Sequence, residues 1–380
     1  MQYLKNYLNK IISRGNEKLA ESISKTAEDI GKDYISTFSF TSHEIGLLFG
    51  NVQSGKTGQM FGILSKAADL GFPVFLILTT DNVALQQQTI ERVNSDLEGF
   101  CICGEDDMGK FVENSLLDPA IIILKKNNRI LRKWANTLNT TGFMKGNPLF
   151  IIDDEADAAS LNTFINRRGN QQSSINKYLD SIKNGATSSL YLQVTGTPQA
   201  ILLQTLASGW HPYFTYYFQP GSSYLGGDFF FPSSQKPDCI TFLETVKEDT
   251  KEAVLRHIAV SAQVLASGGR VCNALIHPSV RQSAHSTYAK EVKKVLEWCK
   301  ANNAEFKAEI ARHVSNLSPQ KSDKQPDDVL ISKAESLVAN DEISVYIMNG
   351  TNEVDSSAYA QGSNIVIGGN TLGRGVTFPG

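Results

Sequence analysis

The chain has 380 residues, 41% of them hydrophobic and 20% charged, with a formal net charge of −3. That length exceeds one ordinary core and predicts two domains with an appended helical piece. The charge balance excludes a global basic field drawing the chain to nucleic acid or a membrane surface, although a motor can confine positive charge to a cleft.

Residues 1 to about 44 carry Leu4, Tyr7, Leu8, Ile11, Ile12, Leu19, Ile23 and Ile30 at helical spacing, which predicts a helical appendage. Gly46-Leu47-Leu48-Phe49 reads as a short buried strand, and Thr57 to Asp69 as a helix with Met60, Phe61 and Leu64 on its apolar side. From there to about Thr197, short apolar runs (74–78, 121–124, 149–152 and 190–194) alternate with amphipathic stretches. Continuous rather than alternating apolar runs predict strands covered on both faces, hence a parallel α/β sheet. An aromatic, Gly-rich stretch runs from Trp210 to Pro232, and helical character returns near Glu244 to Leu265. A second α/β series follows, with strands expected at 274–277, 344–348 and 365–367. The five cysteines are odd in number and lack C-x-x-C spacing, which predicts reduced thiols of a cytoplasmic protein with neither a disulfide framework nor a zinc site. Cys101 and Cys103 read as two residues of one strand. No apolar run reaches the ~18–20 residues of a membrane span, so no membrane partner is expected.

Three motifs carry chemistry. Gly50-Asn51-Val52-Gln53-Ser54-Gly55-Lys56-Thr57 spells G-x-x-x-x-G-K-T between the strand and the helix, the context a phosphate-binding loop requires. Gly55 lets the backbone curl so that the N–H groups of the loop, including those of Gln53 and Ser54, turn toward phosphate oxygens. Lys56 supplies a charge for the β- and γ-phosphates of ATP and Thr57 a hydroxyl for Mg²⁺. The run 149–157 is an apolar strand ending in Asp153-Asp154-Glu155. Asp154 is expected to hold Mg²⁺ and Glu155 to deprotonate the attacking water. Asp153 either tunes that pair or faces solvent, and Asp157 suits a helix N-cap. A later strand ends in Thr195-Gly196-Thr197-Pro198, a small-hydroxyl motif that is also ordinary turn chemistry.

Together these motifs resemble the superfamily-two helicase ATPases. The loop departs from most of that group by carrying Gln53 where a glycine is usual. It is similar instead to the G-x-V-Q-S-G-K-T loop of Z-one (Z1) domain proteins, helicase-like ATPases of bacterial restriction and phage-defence loci. Other matching stretches are 125–127, 152–157 with 160–162, 224–230, 275–279, 348–350 and 368–377, so the resemblance runs from about residue 46 to the end. It implies a P-loop α/β fold of tandem RecA-like parallel-sheet domains. The expected boundaries are an N-terminal helical segment at 1–45, a first ATP-binding domain at 46–200, an aromatic insertion with helical connector at 201–265, and a second RecA-like domain at 266–380. In the same way it implies that Thr197 and Arg374 line the nucleotide site and that DNA or another nucleic acid is a partner, with Lys125, Lys126, Arg129 and Arg374 among the contacts. Defence-locus effectors (a nuclease, a methyltransferase or a GHKL-type ATPase) are further implied partners.

The family's arginine-bearing motif would follow Gly380. The second domain is therefore expected to be incomplete, with slow turnover and an unpaired edge near Ile365-Val366-Ile367. Two functions from different classes follow: a DNA-dependent ATPase, or an ATP-loaded switch that recruits effectors with little turnover. Glu305-Phe306-Lys307 matches a nuclease E-x-K pattern but reads as a solvated helix face. Asn162 and Gln199 are polar candidates for supporting the site, and the six histidines form no metal-ligand spacing.

Overall fold

The computed structural model describes residues 2–380 apart from 115, 143, 159, 161–172, 209, 222–223, 225, 231–245, 320–322, 350–353, 370–371, 373–377 and 379–380. The chain divides into two compact units, Met1–Cys239 and Ile240–Gly380.

The first unit opens with helices α1 (Tyr3–Ser13) and α2 (Glu17–Ile30), the second running on through a π-helical turn at Gly31–Ile35. Strand β1 (His43–Phe49), helix α3 (Lys56–Asp69), β2 (Val74–Thr79), α4 (Val83–Asp96) and β3 (Cys101–Cys103) follow. Next come α5 (Met108–Asn114), β4 (Ala120–Lys125), α6 (Asn128–Thr141), β5 (Pro148–Asp154), α7 (Ser174–Gly185) and β6 (Ser188–Thr195). The unit closes with α8 (Gln199–Ser208), β7 (Phe214–Tyr217) and the short α9 (Gly227–Phe230). The seven strands among the described residues pair in parallel, in the order β3-β4-β2-β5-β6-β1-β7. The sheet has two apolar faces, as its uninterrupted apolar runs predict. Phe75, Ile77, Phe150 and Ile152 point toward α1, α2 and α3. Their alternates Leu76, Leu78, Leu149 and Ile151 point toward Leu131, Trp134 and Leu138 of α6 and Leu179 and Ile182 of α7.

The N-terminal helices pack on the helix that follows the loop. Tyr7 Oη donates to the Gly58 carbonyl (3.3 Å), and the backbone N–H groups of Tyr3 and Leu4 donate to the Asp69 carboxylate (2.8 and 3.1 Å). Strand β7 lies within the aromatic stretch, where no alternation announced it. It adds to the free side of β1, with Phe49 opposite Tyr217.

The second unit comprises α10 (Val246–Ala266), β8 (Val271–Ile276), α11 (Gln282–Ala301), α12 (Asn303–Ser315), α13 (Asp327–Ala339), β9 (Ile343–Met348) and β10 (Gly362–Gly368). Its described strands form a parallel sheet in the order β8-β10-β9, with one face on α10 to α13 through Ala274, Ile276, Val345, Ile347, Ile365 and Ile367. The expected unpaired edge at Ile365-Val366-Ile367 is corrected here. Strand β10 is central, and each of those residues is at most 1% exposed. The strand latest in sequence is inserted between its two predecessors, so its backbone groups are paired on both sides.

A polar cluster is buried where α10 meets β10. His257 Nε2 lies 3.1 Å from Ser363 Oγ and 3.4 Å from Ser261 Oγ, and the two hydroxyls are 2.9 Å apart. Burial pushes the His257 imidazole down to about 4 from its usual 6.5. A histidine with a lowered folded pKa binds fewer protons folded than unfolded, so stability is present above pH 6.5 and is lost as pH falls toward 4. Between pH 7 and pH 5 the second unit should lose about 2 kcal/mol through this residue, and His257→Gln should flatten that dependence. Urea unfolding at the two pH values checks it, and a parallel dependence in the variant would assign the effect to other groups.

Candidate nucleotide site

The candidate loop leaves the C-terminal end of β1 and enters α3. Gly55 adopts φ +93°, a conformation that a side chain would strain, and Gln53 also has positive φ (57°). Ser54 is buried and closes the loop on itself, its Oγ donating to the Asn51 carbonyl at 2.6 Å. The loop is tied to the sheet where Gly50 N–H donates to the Thr195 carbonyl (3.4 Å). No side chain caps α3. The first-turn N–H groups of a helix lack intrahelical partners, so this end, with Lys56 and Thr57 as its first two residues, suits an anion.

Lys56 Nζ lies 3.9 Å from Glu155 Oε1. A Cβ added at Gly196 would come within 3.1 Å of that ammonium and 3.4 Å of Val52, so glycine there lets the turn after β6 close against the loop. Three segments remote in sequence thus converge on one lysine: the loop, the end of β5 and the turn after β6.

The two carboxylates expected to handle metal and water sit at the end of β5, both half-buried. Asp154 Oδ1 accepts from Glu155 N–H at 3.0 Å. Burial, joined by the Glu155 charge, pushes the Asp154 carboxyl up to about 6, while Lys126 and Lys56 pull it down. A carboxylate crowded by another is relieved by a bound cation, so Asp154 with Thr57 fits Mg²⁺. Glu155 itself adopts φ +51°. Left-handed backbone costs a non-glycine residue about 1–2 kcal/mol, so neighbouring contacts must hold it.

Lys126 provides them, and here three expectations are corrected. Lys126 is 1% exposed and is not an available nucleic-acid contact. Its Nζ donates to Asp153 Oδ1 (2.9 Å), to the Asp154 carbonyl (2.8 Å) and to the Glu155 carbonyl (2.9 Å). Asp153 in turn is fully buried and accepts from Tyr191 Oη at 2.8 Å, so it does not face solvent. Asp157 is not a helix cap either. Its two oxygens accept from Thr195 Oγ1 (2.8 Å) and Thr197 Oγ1 (2.9 Å), joining the carboxylate strand to the hydroxyl turn. Sequence reading missed these linkages. The one available signal was the Lys125-Lys126 pair directly after an apolar run, and lysine is ordinarily read as surface.

Lys125 is half-buried beside Glu105 (3.8 Å), while Arg129 and Gln199 are exposed. Arg374 and Asn162 lie outside the described residues. Glu305 and Lys307 are exposed on α12. Among the described residues, no group of three or more His, Cys, Asp or Glu could hold a metal, and no helix is long and apolar enough to cross a membrane.

Comparison with known proteins adds the following. No curated protein matches the chain. Among solved structures it is similar to the Hef helicase domain of Pyrococcus furiosus, at 11% identity over 93% of this chain and 86% of that one, with a TM-score of 0.38. It is also similar to the DEAD-box helicase Mss116 bound to ssRNA and UDP-BeF, at 12% identity over 98% and 68%, with a TM-score of 0.49. A third is the ATP-dependent Type ISP restriction-modification enzyme LlaBIII bound to DNA, at 13% identity over 94% of this chain but 24% of that one, with a TM-score of 0.43. The family model described as the Z1 domain matches residues 249–380. In sequence the matched residues follow the unit that holds the candidate nucleotide site.

Proposed function

We propose that this chain binds ATP with Mg²⁺ at the β1–α3 loop and hydrolyses it, as a helicase-like, DNA-dependent ATPase of the cytoplasm. The biological setting that fits is a restriction or anti-phage defence system with a separate effector. The observation that carries the reading is the convergence of Lys56, Glu155 and Gly196 on one point. In this reading the loop N–H groups and Lys56 hold the phosphates, and Thr57 and Asp154 hold the metal. Bound Mg²⁺ supplies charge neutralisation on the transferring phosphoryl group. Glu155 takes the proton of the attacking water. Asp157, bonded to Thr195 and Thr197, gives hydrolysis a direct link to the turn after β6. Nucleic acid is held through phosphates, so its binding is salt-dependent and sequence-blind.

Lys56→Ala is expected to remove tight ATP binding while leaving the fold intact. Lys56 is half-buried, and among the described residues its ammonium pairs with the site's own carboxylate at 3.9 Å. Titration calorimetry beside a thermal melt checks this, and wild-type affinity in the variant would sink the assignment.

A further inference from the structure

The sheet order sets the direction in which a bound nucleotide must run. Asp154 and Glu155 stand at the end of β5, Thr195 and Gly196 at the end of β6, and the loop at the end of β1. The γ-phosphate end therefore lies on the β5–β6 side of the loop. The nucleoside must leave on the opposite side, where β7 is the next strand. From β5 to β7 is three strand spacings, about 14 Å, a distance suited to an extended nucleoside triphosphate.

That side holds an aromatic group wrapped around the loop. Tyr217, the last residue of β7, is 40% exposed; its ring lies 5.1 Å from that of Phe49, and its hydroxyl donates to Asn51 Oδ1 (3.2 Å). Tyr224 Oη donates to the Val52 carbonyl at 2.6 Å, and Val52 itself is 60% exposed. Phe218 lies beneath Gly50, so close that an added Cβ would come within 2.3 Å of its ring. Phe218 N–H also donates to the Phe49 carbonyl (3.1 Å). The segment is thus anchored to the loop through both backbone and side chains, and it leaves one tyrosine ring open to solvent beside the phosphate cradle.

We propose that this segment is the base subsite, with the nucleobase stacking on Tyr217 while Tyr224 acts as a positioning residue that holds the loop through Val52. The proposal rests on the ATP reading above and adds the element that recognises the nucleoside half of the ligand. Stacking uses the π-face that every base offers, so the subsite favours an aromatic base without selecting its edge.

The test compares two probes on the full chain, ATP and inorganic tripolyphosphate, the second lacking any base. Relative to Tyr217→Phe, which also lacks the hydroxyl bonded to Asn51, Tyr217→Ala is expected to weaken ATP binding about tenfold to a hundredfold while leaving tripolyphosphate affinity within about twofold. Tyr217→Phe keeps the ring and should retain ATP binding, which also separates a stacking role from a folding defect in the alanine variant. Tyr224→Phe loosens the loop and should weaken both probes alike. If Tyr217→Ala weakened both probes equally, or neither, the subsite would be wrong and the phosphate site would stand. If wild type bound neither probe, the ATP reading itself would fall.

Discussion

Replacing Lys126 with alanine is expected to destabilise the first unit by about 3–5 kcal/mol, the ordinary consequence of removing one partner from a buried ion pair. The lysine and Asp153 side chains are both 0% exposed, and the ammonium spends its three protons on Asp153, Asp154 and Glu155. Without it, among the described residues Asp153 keeps Tyr191 as its side-chain donor, in a place that water does not reach. The backbone carbonyl of Glu155 loses its donor at the residue with positive φ. The variant should therefore lose activity even at temperatures where it remains folded. Denaturant unfolding of wild type and variant measures the first effect, and turnover at a temperature well below both transitions measures the second. A stability change under about 1 kcal/mol would mean that the pair is not a dry one. Lys126→Met paired with Asp153→Leu should recover much of the stability, since apolar replacements of buried pairs are often tolerated, but not the activity.

Glu155→Gln should leave ATP·Mg²⁺ binding in place and lower turnover by about a hundredfold to ten-thousandfold, the range for loss of a general base. The substitution keeps the shape of the side chain and removes its ability to take a proton. It also removes the negative charge 3.9 Å from Lys56, so ATP affinity should hold or rise slightly. Steady-state turnover beside direct nucleotide binding separates the two effects. The structure narrows the alternatives if turnover persists. Asp153 is buried beneath Lys126, and Asp157 has both oxygens committed to threonine hydroxyls. Unchanged turnover would therefore mean that water is activated by a group outside this cluster, and the proposed role of the β5 carboxylates would be withdrawn.

Most of the candidate phosphate site can be proposed from the chain alone because its parts are contiguous. A cradle of backbone N–H groups requires successive residues, a glycine where φ is positive and a helix directly behind, and all of these are neighbours in sequence from Gly50 to Thr57. The strand ending in Asp153-Asp154-Glu155 was equally plain, since an apolar run and its terminal acids are local too. The parallel class of the first sheet followed from uninterrupted apolar runs, because a strand buried on two faces has no polar side to alternate, whereas that of the second was implied by the family resemblance.

What the three acids touch was decided only by the tertiary structure. Sequence orders strands along the chain and says nothing of their order in the sheet, and it is the sheet that aligns the ends of β4, β5 and β6. That alignment sends Lys126 into the interior to hold Asp153 and Glu155, and brings Asp157 to Thr195 and Thr197. The same reason explains why β10 lies in the middle of its sheet and not at an edge. It explains, too, why Tyr217 and Tyr224, more than a hundred and sixty positions from the loop, hydrogen-bond to Asn51 and Val52. A motif is local because a phosphate contacts consecutive amides; the roles of its remote partners are set by which side chains a closed sheet makes neighbours.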